Sequence, residues 1–229
     1  MRLRREATHA VWCGAEMSVS LPFTGRTKVI ARLRKLYAQR RHVLLVGPEG
    51  TGKTALIEHL QFTLPLLVCW HSGSFQAIAN SLNRSSVQAS GRRILPRQSE
   101  LLSVLTRAKM PVVFDGLPWT NLKLSSFFEC VGQRTPIWIS CRSAELWDFG
   151  FYKPFLWRFA RVELKPFCLS ETRGLVEAAV KAGSLAPATA DEIERLHCLC
   201  RGNPGALCNL LQSLSRERQL RIGITRKLS

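Results

Sequence analysis

A glycine-rich segment, GPEGTGKT at residues 47–54, limits the folds open to this chain more strongly than any other part of it. It matches the pattern G-x-x-x-x-G-K-[ST], in which closely spaced glycines allow the backbone to wrap around an anion. The loop amides then point at phosphate groups, and the helix that follows adds the positive end of its dipole. The residues predicted to bind a nucleotide here are Gly47, Gly50, Thr51, Gly52, Lys53 and Thr54.

The residues on both sides of this P-loop distinguish it from an ordinary glycine-rich turn. Residues 41–46 are predicted to form a short buried strand that enters the loop, and residues 55–60 a helix that leaves it. In that context Lys53 is a predicted catalytic residue that reaches the β- and γ-phosphates of ATP. The Thr54 hydroxyl is a predicted ligand of Mg²⁺.

A second candidate site residue stands at the end of a later strand. Residues 111–116 read PVVFDG, which predicts an apolar strand that ends in Asp115. In P-loop ATPases an aspartate at such a position, the Walker B aspartate, holds the Mg²⁺ shell. Asp115 is therefore predicted to be a catalytic residue and a metal ligand, and the alternative is an ordinary turn aspartate.

The order of elements predicts an α/β fold with a parallel sheet, a P-loop core and a C-terminal lid of three helices. Strands near residues 43, 66, 112 and 137 alternate with helices, as in parallel βαβ units, and residues 161–164 are predicted to complete the sheet. In such sheets ligands bind at the carboxyl ends of the strands, where Thr51, Asp115 and Arg142 are expected. The helices of this part are predicted at residues 27–39, 55–60, 74–82, 99–109 with Ser99 as N-cap, and 125–131, with a basic loop at 83–97.

Cap signals define the predicted lid. Ser170 is expected to cap a helix that runs to Lys181, and a capping box at residues 189–192 opens a second helix. Asn203 followed by Pro204 opens a third helix, since proline suits the first helical position. The predicted domains are a basic arm at 1–21, the core at 22–167, the lid at 168–215 and a basic tail at 216–229.

Composition adds a partner and a location to these predictions. The net charge of +17 favours a polyanion such as DNA, although the same charge could serve solubility alone. No apolar run is long enough to span a membrane, and Glu6 and Glu16 argue against a signal peptide, while a transit peptide stays open. The eight cysteines form no C-x-x-C pair, which disfavours zinc and favours reduced thiols in the cytoplasm.

These motifs, in this order, resemble the AAA+/STAND branch of P-loop ATPases, especially origin-recognition-like and transposition-regulator ATPases. Residues 23–26, FTGR, resemble the F-x-G-R box of that family, and the resemblance extends over residues 22–215. It implies that Arg142 lies on the strand that senses the γ-phosphate, that Arg158 is an arginine finger, and that Pro204 packs near the adenine. It also implies ATP and Mg²⁺ as cofactors and a homo-oligomer, either a ring or a filament. In related ATPases the loops between the second strand and the Walker B strand often face a central pore, which implies that Arg84, Arg92, Arg93 and Arg97 bind DNA. For Arg158 the alternatives are a surface arginine or an ion pair with Glu163.

One departure from the family bears on catalysis. The family usually has an acidic residue directly after the Walker B aspartate, and this chain has Gly116. Glu49 or Glu145 could substitute for it, or hydrolysis could be slow, absent or completed by another subunit. Two functions follow from the sequence: an ATP-dependent ATPase that assembles on DNA, and a STAND-type switch in which ATP/ADP exchange controls protein association. A kinase is a less favoured function, because the sequence shows no recognisable site for a phosphate acceptor.

Overall fold

The computed structural model describes residues 23–70, 72–85, 98–107, 109–117, 120–143, 145 and 157–214. The basic arm at 1–21 and the basic tail at 216–229 lie outside these residues. Contacts divide the chain into two compact units: one comprises Met1–Arg26, Glu49–His59 and Lys165–Ser229, and the other comprises Thr27–Pro48 and Leu60–Leu164.

The second unit contains one five-stranded parallel sheet. Its strands are β1 (Val43–Val46), β2 (Leu67–Cys69), β3 (Val112–Phe114), β4 (Ile137–Cys141) and β5 (Ala160–Glu163). Their order in the sheet is β2-β3-β4-β1-β5, and every neighbouring pair is parallel. The inner strands are short apolar runs that are fully buried, as is typical of strands covered on both faces. The predicted α/β fold with a parallel sheet is confirmed.

Eight helices belong to the described part of the chain. They are α1 (Thr27–Ala38), α2 (Lys53–Gln61), α3 (Phe75–Ser85), α4 (Gln98–Arg107), α5 (Leu122–Gly132), α6 (Leu169–Lys181), α7 (Ala190–Cys200) and α8, whose described part covers residues 204–214. On one side of the sheet, α3, α4 and α5 contribute apolar side chains to a core around Phe114, Phe127 and Phe128. None of the described helices has the length and apolar character needed to cross a bilayer.

Helices α6, α7 and α8 form the predicted lid, which has an apolar core of its own around Val176, Ala179 and Leu207. The capping box of α7 is present: Thr189 accepts from the Glu192 amide, and the Glu192 side chain accepts from the Thr189 amide. Helix α6 ends where Gly183, at φ +72°, takes the left-handed conformation that suits glycine. This turn places the ends of α6 and α7 so that their buried faces meet.

Several predicted helix boundaries are wrong, among them the start of α5, which begins at Leu122 and not at residue 125. Helix α6 is capped by Cys168 and not by Ser170, because the Glu171 carboxylate accepts from the Cys168 amide at 3.1 Å and draws the helix start forward. Helix α4 already includes Ser99, which therefore does not cap it. Helix α3 continues through Ser85, so residues 83–85, which were predicted to belong to a loop, are helical. Local polarity alone predicts these boundaries, whereas in the structure backbone hydrogen bonding determines them.

Candidate nucleotide-binding site

The P-loop begins directly after β1. The Gly47 amide donates to the Cys141 carbonyl at 3.2 Å, which ties the start of the loop to the end of β4. Gly50 and Gly52 have φ values of +78° and +86°, in the region that side chains other than glycine rarely adopt. A Cβ added at Gly52 would meet no atom within 4 Å, so open space remains beside this part of the loop. The two glycines are therefore required by the turn itself.

Lys53 and Thr54 are the first two residues of α2. The Lys53 side chain is half-buried and that of Thr54 is exposed, while the next residues bury Ala55, Leu56 and Ile57. The first amides of a helix have no partners within the helix, and its dipole is positive at this end. The predicted phosphate-binding and magnesium-binding side chains therefore stand where an anion is favoured.

Three consecutive carbonyl groups of the P-loop accept hydrogen bonds from residues distant in sequence. The Glu49 carbonyl accepts from Asn203 Nδ2 at 2.8 Å, and the Gly50 carbonyl accepts from the Gly205 amide at 2.8 Å. The Thr51 carbonyl accepts from Arg26 Nη2 at 3.1 Å. One side of the loop is thus held at every peptide from residue 49 to residue 51.

Arg26, the last residue of the FTGR motif, is among the few buried charged side chains of the described residues, at 7% exposure. Its guanidinium lies 4.6 Å from the ring centroid of Phe167, and its backbone amide donates to Glu171 at 3.4 Å. Burial lowers the pKa of the Arg26 guanidinium, while the charge of Glu171 opposes that shift. The sequence indicates the FTGR motif by its family resemblance, but no residue pattern near Arg26 predicts its contact with Thr51.

Pro204 is buried as the first residue of α8, between the two residues that bond to the P-loop. The Asn203 side chain caps this helix, because its Oδ1 accepts from the Ala206 amide at 3.1 Å. Gly50 lies so close that a Cβ there would collide with Asn203. The predicted Asn-Pro helix start is therefore present. The structure brings it to the P-loop, and the contact of Pro204 with adenine stays a prediction.

The carboxylate of Asp115 stands just beyond the end of β3, where the strand pattern predicted it. It accepts a short hydrogen bond from the Ser140 hydroxyl, which in turn accepts from the Gly116 amide at 2.8 Å. Asp115 is 7% exposed, and its amide donates to the Cys69 carbonyl at 3.0 Å. Ser140 thus orients the turn that carries Asp115, a role that the sequence did not indicate.

The two predicted arginines of the catalytic set differ in their surroundings. Arg142 is exposed directly after β4, and so it lies at the same edge of the sheet as Asp115. Arg158 is also exposed, and its guanidinium lies 5.1 Å from the ring centroid of Trp157. Among the contacts of the described residues there is no ion pair between Arg158 and Glu163, which was one of the predicted alternatives to an arginine finger.

Most of the predicted DNA-binding residues lie outside the part of the chain that the structure describes. Arg92, Arg93 and Arg97 fall beyond the described residues, and of Arg84 only the backbone is described, within α3. Within the described ranges, no group of three or more His, Cys, Asp or Glu side chains is arranged to hold a metal ion by itself. A magnesium ion at a P-loop does not need such a group, since phosphate oxygens and water complete its shell.

Comparison with known proteins gives the same family as these motifs. The family model for the AAA ATPase domain matches residues 22–221. The structure is similar to the Aeropyrum pernix Orc1 protein solved in complex with DNA, at 14% identity, TM-score 0.61, and coverage of 87% of this chain and 62% of that one. It is also similar to Cdc6p from Pyrobaculum aerophilum, at 17% identity, TM-score 0.62, and coverage of 91% and 65%.

A third similar structure is the Walker-type ATPase of Pyrococcus abyssi, at 16% identity, TM-score 0.57, and coverage of 89% of this chain and 74% of that one. The chain spans less than two thirds of the length of the Orc1 and Cdc6p chains. No sequence match was found among curated proteins. At these identities the structural likeness establishes the fold, and the family model covers most of the chain; by that match, the chain belongs to the AAA ATPase domain family.

Proposed function

We propose that this protein binds ATP with Mg²⁺ at its P-loop and acts with DNA, as a homo-oligomer, in an ATP-dependent manner. The observation that carries the nucleotide proposal is the held P-loop, with three consecutive carbonyls bonded on one side and glycines at positive φ. Such a loop presents amides to an anion without having to order itself first, which favours tight binding of phosphate.

The residues have separate proposed roles in this site. Lys53 neutralises the β- and γ-phosphates, and Thr54 and Asp115 hold the magnesium shell. A magnesium ion held there would neutralise part of the phosphate charge. Arg142 is proposed to contact the γ-phosphate, and Arg158 is proposed to complete the site of a neighbouring subunit. Gly116 supplies no carboxylate to orient a water, so the isolated chain is proposed to hydrolyse ATP slowly.

Calorimetry with Mg·ATP tests the nucleotide site. Lys53→Ala removes the cation opposite the phosphates and is expected to weaken binding at least about tenfold, the effect of losing a charged interaction. Lys181→Ala, in the last turn of α6, makes the same change on an exposed lysine and is expected to bind ATP as the native protein does. Equal affinities in all three proteins would refute the site.

The DNA part of the proposal depends on charge. The net charge is +17, and Arg84, Arg92, Arg93 and Arg97 concentrate basic residues between β2 and β3. One similar structure is an Orc1 protein in complex with DNA, and that likeness supports the choice of DNA over other polyanions. Phosphate contacts would make binding fall steeply with salt and depend little on sequence.

Fluorescence anisotropy with labelled duplex, with and without ATP, tests this part. Replacing both Arg92 and Arg93 by Ala is expected to lower affinity and to reduce the salt slope by about one unit per lost phosphate contact. Replacing Arg34 and Lys35, exposed on α1, makes the same charge change as a control. If the native protein does not bind DNA at low salt in either state, nucleotide-controlled association with proteins becomes the better account.

The oligomer and the location complete the proposal. Sedimentation with and without ATP and duplex DNA is expected to show a larger assembly when both are present. The described cysteines are free thiols, and burial raises the pKa of Cys69 to about 12 and of Cys208 to about 11. Free thiols support the proposed cytoplasmic location, because disulfides are rare in that compartment. The domain limits at 1–21, 22–167, 168–215 and 216–229 remain part of the proposal.

A further inference from the structure

The hydrogen bonds to the P-loop carbonyls determine where the loop amides point. In a planar trans peptide, the carbonyl of one residue and the amide of the next residue point in opposite directions. Holding the carbonyls of Glu49, Gly50 and Thr51 on one side therefore directs the next three amides to the other side. Those amides belong to Gly50, Thr51 and Gly52, and they are among the amides expected to bind phosphate.

The three donors come from two places in the sequence: the Asn203 side chain and the Gly205 amide from one, and the Arg26 guanidinium from the other. Asn203 lies 154 positions from Glu49, whereas Arg26 lies 25 positions from Thr51. Two of the three donors thus belong to the first turn of α8. The orientation of the loop peptides depends on the helical lid as well as on the loop's own glycines.

We propose that Asn203 and Gly205 are positioning residues for nucleotide phosphate: by holding the outer carbonyls of the P-loop, they keep its amides aimed at the anion. The ligand class is a nucleoside diphosphate or triphosphate, and the inference rests on the proposed function. The affinity for the phosphate part of the nucleotide then depends on the start of α8 in the lid. Neither residue touches the ligand in this role.

Asn203 is suited to this role because its two amide atoms do different work. Its Oδ1 accepts from the Ala206 amide at 3.1 Å and caps α8, while its Nδ2 donates to the Glu49 carbonyl at 2.8 Å. A serine can perform the first task but has no donor long enough for the second. Asn203→Ser therefore separates capping of the helix from positioning of the loop.

The test compares Asn203→Ser with a matched control, Asn121→Ser. Asn121 caps α5 in the same way, with its side chain accepting from the Leu124 amide at 2.9 Å. ADP affinity is measured by calorimetry, and adenosine affinity by competition with a fluorescent ADP analogue. For Asn203→Ser we expect ADP to bind about tenfold more weakly, the effect of one lost hydrogen bond to a held peptide, with adenosine unchanged. Asn121→Ser should bind both ligands as the native protein does.

The outcomes separate this inference from the proposed function. If the native protein binds no ADP, the proposed function fails and the inference fails with it. If the native protein binds ADP and Asn203→Ser binds it equally well, the inference alone is overturned. Equal losses for ADP and adenosine would also overturn it, because a role in shaping the base pocket or the whole lid would affect both ligands.

A second variant guards against a lid that fails to fold. Asn203→Asp keeps the size and the capping oxygen, and a carboxylate at a helix N-terminus adds favourable charge. It lacks the donor to Glu49, so ADP affinity should fall, while the retained cap should leave a cooperative thermal transition that shows the lid to be folded. Its negative charge also repels phosphate, an effect that salt screens. A loss of ADP affinity that persists at high salt supports the lost hydrogen bond, and a loss that salt abolishes contradicts it.

Discussion

Gly205 offers a direct test of how closely α8 approaches the P-loop. An ideal Cβ at this position would lie 2.9 Å from Gly50 Cα and 3.1 Å from the Gly50 carbonyl oxygen. Both atoms are backbone, so no side-chain rotation can relieve the contact. Gly205→Ala therefore has to move the loop or the helix, and in either case it disturbs the hydrogen bond from the Gly205 amide to Gly50.

The magnitude follows from two opposing effects. Overpacking of this kind costs about 1–3 kcal/mol, whereas replacing glycine by alanine in a helix gains up to about 1 kcal/mol. We expect Gly205→Ala to be destabilised by about 1–2 kcal/mol. In a chain of this size each kcal/mol corresponds to about 2–4 °C in Tm. ADP affinity should fall as well, because the displaced segment is the one that presents the amides.

Gly174 provides the control, since it lies within α6 and an added Cβ would meet no atom within 4 Å. Gly174→Ala should gain helix stability, raise Tm and leave ADP affinity unchanged. Circular dichroism melts and calorimetry on the two variants give shifts of opposite sign if the close approach is real. A Gly205→Ala protein that melts at or above the native temperature and binds ADP normally would refute the reasoning.

Two further predictions concern the sheet unit. Burial, with Arg158 and Arg41 adding to it, lowers the pKa of His42, whose Nδ1 accepts from the Ile137 amide at 3.0 Å and so must be unprotonated. The contribution of His42 to the free energy of unfolding is fully present above the ordinary pKa of about 6.5, and it is lost as pH falls from there towards the pKa in the folded protein. Urea unfolding at pH 8 and pH 5.5 should therefore show a smaller loss of stability for His42→Asn than for the native protein. Equal losses of stability in the two proteins would contradict the assignment. Specific ATPase activity should rise with protein concentration, and Arg158→Ala should abolish that rise. Arg134, an exposed arginine just after α5, is the control, and Arg134→Ala should leave the rise unchanged. A turnover independent of concentration in the native protein would rule out a site shared between subunits.

The parts of this structure that could be predicted from sequence are those with local causes. The P-loop, the strand that ends at Asp115 and the capping box at Thr189 each depend on residues close together in the chain. The order of strands depends on pairing between distant segments: β1 lies between β4 and β5, with Leu44 opposite both Ile139 and Arg161. No local periodicity contains that information.

The candidate site shows the same division. Lys53 and Asp115 could be proposed from spacing and residue type, because the chemistry expected of them is tied to a motif. The contacts that orient the site could not be identified, since Asn203 meets the loop across 154 positions and Ser140 meets Asp115 across 25. Such partners are ordinary polar residues, and only the fold distinguishes them from any other asparagine or serine.

The turn after β3 has a consequence for how this chain could change over evolutionary time. Gly116 has a φ of +63°, and an added Cβ would meet no atom within 4 Å, so the backbone and not space limits substitution. A glutamate there would hold a sparsely populated conformation at a cost of about 1–3 kcal/mol. The Ser140 hydroxyl also binds the Gly116 amide, so the peptide cannot rotate without releasing Asp115. A change of Gly116 alone could introduce the acid but not a backbone that aims it, so a carboxylate could be gained at this turn only if the turn itself also changed.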